Sequence, residues 1–186
     1  AVDIDDTTQI DNTVSVGTNG TGYTVRFFGD TADKNWTWDD TNDLLTVAGS
    51  TQLTGDVTVG EDDTGYDVKF FGASSGAFML YDQSEDTLEI RGASADATTS
   101  TGKLLLTTAL PNINDGDVLG RIDFQAPLEA GASDAIVVGA TILAEADATF
   151  SGTVNSTDLV FLTADSGAAT EKMRIDSTGQ VTFADG

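Results

Sequence analysis

The sequence predicts an all-β protein: short repeated β-meanders followed by a β-rich C-terminal domain. Three observations carry this. The stretch TGYTVRFFG (residues 21–29) recurs as TGYDVKFFG (64–72) at an offset of 43 residues. Around it, residues 14–49 lie over 57–92 without a gap, with 14 of 36 positions identical. A fixed period of roughly 20–50 residues marks a repeat architecture. Apolar and polar residues alternate in short runs, as half-buried strands require. Between the runs stand Gly, Asp, Asn, Ser and Thr, with 20 Gly against two Pro, which is turn chemistry.

In chain order, residues 1–12 read as a lead-in strand, with Val2 and Ile4 alternating against acidic neighbours. The same residues could instead pair with another subunit's sheet edge. Repeat one spans 13–50. Val14 and Val16 form a first strand and 17–22 a Gly-rich turn. Tyr23, Val25 and Phe27 share one strand face, with Arg26 and Phe28 on the other. Trp36 and Trp38 lie on a third strand, 39–43 turns, and Leu45 and Val47 return, giving a four-strand meander. An aromatic residue on each face implies that both faces are covered, by another repeat or another subunit.

Repeat two, 51–93, follows the same plan. Val57 and Val59 open it, Tyr66, Val68 and Phe70 share a face beside Phe71, and Met79 and Tyr81 replace the two Trp. Residues 94–102 form a small polar linker. The C-terminal β domain, 103–186, is a sandwich or prism with strands expected at 104–107, 118–125, 135–143, 149–154, 159–163, 172–175 and 180–183. Turns are expected at 111–116 and 130–133. Residues 140–148 contain good helix formers, but alternation of Ile136, Val138, Ala140 and Ile142 favours a strand. MRIDSTGQVTF (173–183) echoes the hairpins at 36–47 and 79–90 once one residue is gapped.

Composition narrows the function. With 31 acidic and 8 basic residues the net charge is −23, which repels nucleic acid and anionic membranes. No apolar run is long enough for a transmembrane helix. His and Cys are absent, which removes His-based triads, His or thiolate zinc sites and disulfides. Acidic residues are plentiful, but no pair stands out as a glycosidase couple, and an enzyme is not expected. The first residue is Ala, with no basic-then-apolar leader after it, so a processed chain or part of a longer product is expected.

Candidate sites each carry a simpler alternative. Asp39, Asp43, Asp82 and Asp86 could ligate Ca²⁺, but their spacing fits Asx-type hairpin turns better. Asp3, Asp5, Asp6, Glu61, Asp62 and Asp63 receive the same reading, and no cofactor is expected. Trp36 and Trp38 could form a sugar-stacking platform. The apolar Met79 and Tyr81 at the equivalent positions favour core instead. Tyr23, Phe27, Phe28, Trp36, Trp38, Tyr66, Phe70, Phe71, Met79 and Tyr81 are the expected packing and assembly residues. Phe28 and Phe71 are expected to contact a neighbour more than Arg26 and Lys69 do.

The second repeat, GDVTVGEDDTGYDVKFFGASSGAFMLYDQSEDTLEI (55–90), resembles repeats of structural proteins from tailed, especially marine, bacteriophages. LGRIDFQAP (119–127) and LVFLTADSGAATEKMRIDSTGQVTF (159–183) resemble shaft regions of phage tail fibres and related appendages. The resemblance implies an intertwined, β-rich homotrimer on the virion surface that contacts other virion proteins and a host glycan or protein. It also implies a final strand that often leads into a self-cleaving chaperone domain, which residues 1–186 do not contain. The other readings are a capsid decoration or cement protein, a carbohydrate-binding β module, and a subunit of a strand-donating extracellular filament.

Overall fold

The structure is a computed structural model that describes residues 10–126, 131 and 134–184 of the 186-residue chain. The lead-in strand expected at 2–4, the carboxylates at 3, 5 and 6, and most of the turn at 130–133 lie outside the described residues. The chain divides into two compact units, Ala1–Tyr66 and Asp67–Gly186. Among the described residues the regular structure is strand with one short 3-10 turn, Asp134–Ile136. The fold class is therefore all-β.

The first unit holds a three-stranded antiparallel sheet of β1 (Val25–Phe28), β2 (Asn35–Asp39) and β3 (Leu44–Ala48), in that order. Its register places Phe27 opposite Trp36 and Trp36 opposite Val47, with Val25, Trp38 and Leu45 forming the next row. The second unit opens with the same object: β4 (Val68–Phe71), β5 (Phe78–Asp82) and β6 (Thr87–Arg91). Here Phe70, Met79 and Ile90 make one row, and Val68, Tyr81 and Leu88 the next. Every strand of the second sheet starts and ends 43 residues after its counterpart.

The backbone repeats as closely as the strands. The positive-φ positions Gly17, Gly20, Asp33 and Asp43 recur as Gly60, Asp63, Gly76 and Asp86. Gly and Asp exchange at two of them because both tolerate the left-handed region. The turns at 17–22 and 60–65 each close through a reciprocal pair of backbone hydrogen bonds, Thr18 with Thr21 at 2.8 Å and Glu61 with Thr64 at 2.9 Å.

The expected fourth strand of each meander does not form. Val14, Val16, Val57 and Val59 belong to no strand and are exposed. The turn that follows each segment has a left-handed glycine, Gly17 (φ 88°) and Gly60 (φ 86°). In both, a Cβ would strike the carbonyl oxygen of Thr21 or Thr64. Alternation alone does not register this, because the same pattern serves a paired strand and an unpaired extended segment.

The C-terminal region is a single five-stranded antiparallel meander: β7 (Val118–Gln125), β8 (Val138–Ala146), β9 (Thr157–Thr163), β10 (Thr170–Ile175) and β11 (Val181–Phe183). Five of the seven expected strands are present, and 140–146 is strand, as its β-branched alternation requires. Residues 104–107 and 149–154 are not strands. At the former, Leu106 sits over Gly120 of β7, where a Cβ would come within 2.8 Å of the Leu106 side chain. At the latter, bonds from Phe150 N to Ile113 O (2.9 Å) and Ser151 N to Val154 O (2.9 Å) form a compact corner. Bulges interrupt β7 near Val118 and Phe124 and β10 between Glu171 and Met173.

The core of the chain is small. Among the described residues, the buried apolar side chains are Leu80, Leu143, Ala146 and Val160. Each sits on a central strand or at the inner end of one. Trp36 and Trp38, expected as core, are 40% and 36% exposed.

Candidate functional site: the apolar sheet faces

Each of the three sheets sorts its residues in the same way. In the first, the rows Phe27–Trp36–Val47 and Val25–Trp38–Leu45 occupy one face. Phe27 and Trp36 touch, with ring centroids 5.2 Å apart and planes tilted by 55°. The opposite face carries Arg26, Phe28, Asn35, Thr37 and Asp39. Arg26 Nε donates to Thr37 Oγ1 at 3.0 Å, and Thr37 Oγ1 donates to Asn35 Oδ1 at 2.7 Å. This network buries Thr37 to 7% exposure, while Phe27 on the other face stays 61% exposed.

The second sheet keeps the face and changes the network. Phe70, Met79, Tyr81 and Leu88 lie open on its apolar side. On the reverse, Leu80 replaces Thr37 at the buried centre. Lys69 Nζ and Arg91 Cζ each stand 4.5 Å from the Phe78 ring centroid, and Arg91 Nε bonds Glu89 Oε1 at 2.7 Å. Cation–π stacking of this kind joins an aromatic to its own sheet's charges.

Phe28 and Phe71, expected to reach a neighbour, therefore stand on the charged face. Arg26 lies 5.7 Å from the Phe28 ring and Lys69 lies 5.8 Å from that of Phe71. Their partners Phe27 and Phe70 occupy the open apolar face. Tyr23 and Tyr66 precede the strands and are exposed.

The third sheet repeats the sorting over five strands. Ile122, Ile142, Phe161, Met173 and Phe183 form one continuous cross-strand row, and Ala144, Leu159, Ile175 and Val181 form the next. None of these positions is charged. The reverse face holds the ion pairs. Arg174 reaches Asp158 at 2.6 Å, Glu171 at 2.7 Å and Glu145 at 2.9 Å. Asp158, 3% exposed, also accepts from Ser177 N at 2.9 Å. These bonds hold the Glu171 carboxyl below its usual range and raise the Arg174 guanidinium further. Arg121 bonds Asp123, which also accepts from Thr141 at 2.6 Å, so Asp123 is lowered too.

The acidic turns are Asx turns. Asp39 accepts from Asn42 Nδ2 and Thr41 N, both at 2.9 Å, and Asp82 from Ser84 Oγ (2.7 Å) and Ser84 N (3.0 Å). Asp43 and Asp86 supply the left-handed residue that ends each turn, at φ 48° and 51°. Asp176 caps the third hairpin in the same way, accepting from Thr178 Oγ1 (2.7 Å) and Gln180 N (2.9 Å), with Gly179 at φ 86°. The one-residue gap in the sequence echo is this shorter turn. Side-chain and backbone donors lower all three capping carboxyls, Asn42 dominating at Asp39, Ser84 at Asp82 and Thr178 at Asp176. Among the described residues no three acidic side chains converge as a cation site. No described helix is long and apolar enough to cross a membrane.

Sequence reasoning found the aromatic residues of the apolar faces in the repeats but missed the corresponding rows of the third sheet. The signal was present as alternation in β8, β9 and β10. It became a surface only when the register aligned those strands.

Neither a known protein family nor a curated protein matches this chain.

Proposed function

We propose that this chain is a non-enzymatic structural subunit of a virion, a fibre or capsid appendage of a tailed phage that works as a homotrimer on the particle surface. One observation carries the self-assembling part of this reading. On the two repeat sheets Phe27 is 61% exposed, Phe70 59% and Leu88 62%, while among the described residues four apolar side chains are buried. Apolar strand faces left this open belong to a chain whose core is completed by other chains. The virion assignment rests on the resemblance of 55–90 and 159–183 to phage appendage repeats.

The mechanism is mechanical. Chains bury a shared core, charged faces remain in water, and a surface of the assembly meets the host or the rest of the particle. Native mass spectrometry together with an image of the assembled particle tests this. A folded, stable single chain would end the trimer reading, and a trimer absent from any virion would end the placement.

A second reading, a carbohydrate-binding module, is favoured by Trp36 and Trp38 lying open on one face. It requires glycan affinity in the dispersed chain that Trp36→Ala and Trp38→Ala remove.

A further inference from the structure

We infer that the apolar face of each of the two repeat sheets is the self-association surface, and that it meets the equivalent sheet of other copies of this chain, with the charged face of the sheet turned away from the contact. This rests on the self-assembly reading and adds which surface is buried and against what. Three observations select this occupant.

The first is the sorting of charge. The six strand residues of the first apolar face and the six of the second contain no charged side chain. The cations and carboxylates of those sheets stand on the reverse, tied to one another and to Phe28, Phe71 and Phe78. A chain of net charge −23 can approach its own copies closely only through faces that hold none of that charge.

The second is extent. Phe27, Trp36, Trp38, Leu45 and Val47 on the first sheet and Phe70, Met79, Tyr81 and Leu88 on the second are each 36% exposed or more. A partner must therefore offer apolar surface at matching positions in both repeats. A second copy does so by construction.

The third is internal repetition. Phe27–Trp36–Val47 and Phe70–Met79–Ile90 place large apolar side chains at equivalent register in two sheets whose reverse faces keep Phe28/Phe71 and Asp39/Asp82 but change at Asn35/Phe78, Thr37/Leu80, Thr46/Glu89 and Ala48/Arg91. The reverse centre changes from Thr37 to Leu80 and its polar contacts change with it. The face that stays apolar through this divergence is the one under a common packing constraint.

The absence of Cys makes the test clean, because one introduced thiol is the only thiol present. Val47→Cys places it on the apolar face of β3, and Thr46→Cys, one residue earlier, on the charged face. Leu88→Cys and Thr87→Cys make the same pair in β6. Each variant is first weighed in native buffer and then given a mild oxidant and, separately, a maleimide. The expected result is disulfide-linked chain pairs from Val47→Cys and Leu88→Cys, with slow maleimide labelling. Thr46→Cys and Thr87→Cys remain single chains under denaturing conditions and label fast. Loss of assembly in Val47→Cys alone also supports the claim, since the Thr46→Cys chain still assembles.

Three results overturn it. If the wild-type chain is multimeric but Val47→Cys labels as fast as Thr46→Cys, the face is wrong while self-assembly stands. If Val47→Cys links only when mixed with Ile90→Cys chains, the sheets pair unlike with unlike and the equivalence is wrong. If the wild-type chain is a stable monomer, both this inference and the self-assembly reading fail together.

Discussion

At the scale of single residues, the positive-φ positions separate two kinds of glycine. Gly20 has open space where a Cβ would go, and its counterpart is Asp63. A Cβ at Gly60 would come within 2.6 Å of the Thr64 carbonyl oxygen. Gly20→Asp should therefore cost no more than the ~1 kcal/mol of a left-handed non-Gly residue. Gly60→Ala should cost clearly more, because the turn must open as well. Chemical denaturation of the two variants measures the difference, and equal costs would show that the steric block at Gly60 is relieved elsewhere. Arg174 is the other decisive residue. It is the cationic partner of the buried Asp158, so Arg174→Met should destabilise by about 3 kcal/mol or more, the cost of leaving one member of a buried pair alone. A change under 1 kcal/mol in a thermal or urea titration would mean that water replaces the guanidinium.

At the scale of elements, most strands were legible and their depth was not. Alternation located β7 and β9–β11 to within a few residues and preferred a strand over a helix at 140–146, because it reports which residues share a face. It does not report whether a strand has a partner. Val14 and Val16 read as a strand and belong to none. Trp36 and Trp38 read as core because they are large and alternate, yet they are 40% and 36% exposed. On the self-association surface inferred above, Phe27 rather than Phe28 makes the contact. Serine at position 27 should weaken assembly about tenfold or more, from the ~1.5–3 kcal/mol carried by a buried Phe. Serine at position 28 should remove only the stacking of Arg26 on an exposed ring. Sedimentation of the two variants decides this, and the reverse order would restore the charged face as the contact surface. The Asx turns were read correctly from spacing, because an Asp followed by two or three small polar residues has backbone N–H groups within reach.

At the scale of the whole molecule, charge and burial oppose each other, and pH and salt separate them. Copies of a −23 chain repel one another, and three together carry −69. Repulsion between exposed charges reaches about 30 Å at 0.01 M salt and about 8 Å at 0.15 M. Assembly should therefore be weaker at low salt, the opposite of an assembly held by ion pairs. Acidification acts in two stages. Ordinary carboxyls take up protons near pH 4, which relieves repulsion and should tighten the assembly. The carboxyls of Asp39, Asp82, Asp123, Glu171 and Asp176 are held below that range by their donors. A depressed carboxyl contributes stability that is fully present above its unfolded value and is lost as pH falls through its folded value. The hairpin turns and the Arg174 cluster should thus survive the pH at which repulsion fades and fail only at lower pH. Native mass and circular dichroism followed together from pH 7 to pH 2 should show assembly strengthening near pH 4 before the sheets melt. Dissociation that begins as the first carboxyls protonate would show instead that ionised acids link the copies, and the charged faces, not the apolar ones, would then be the interface.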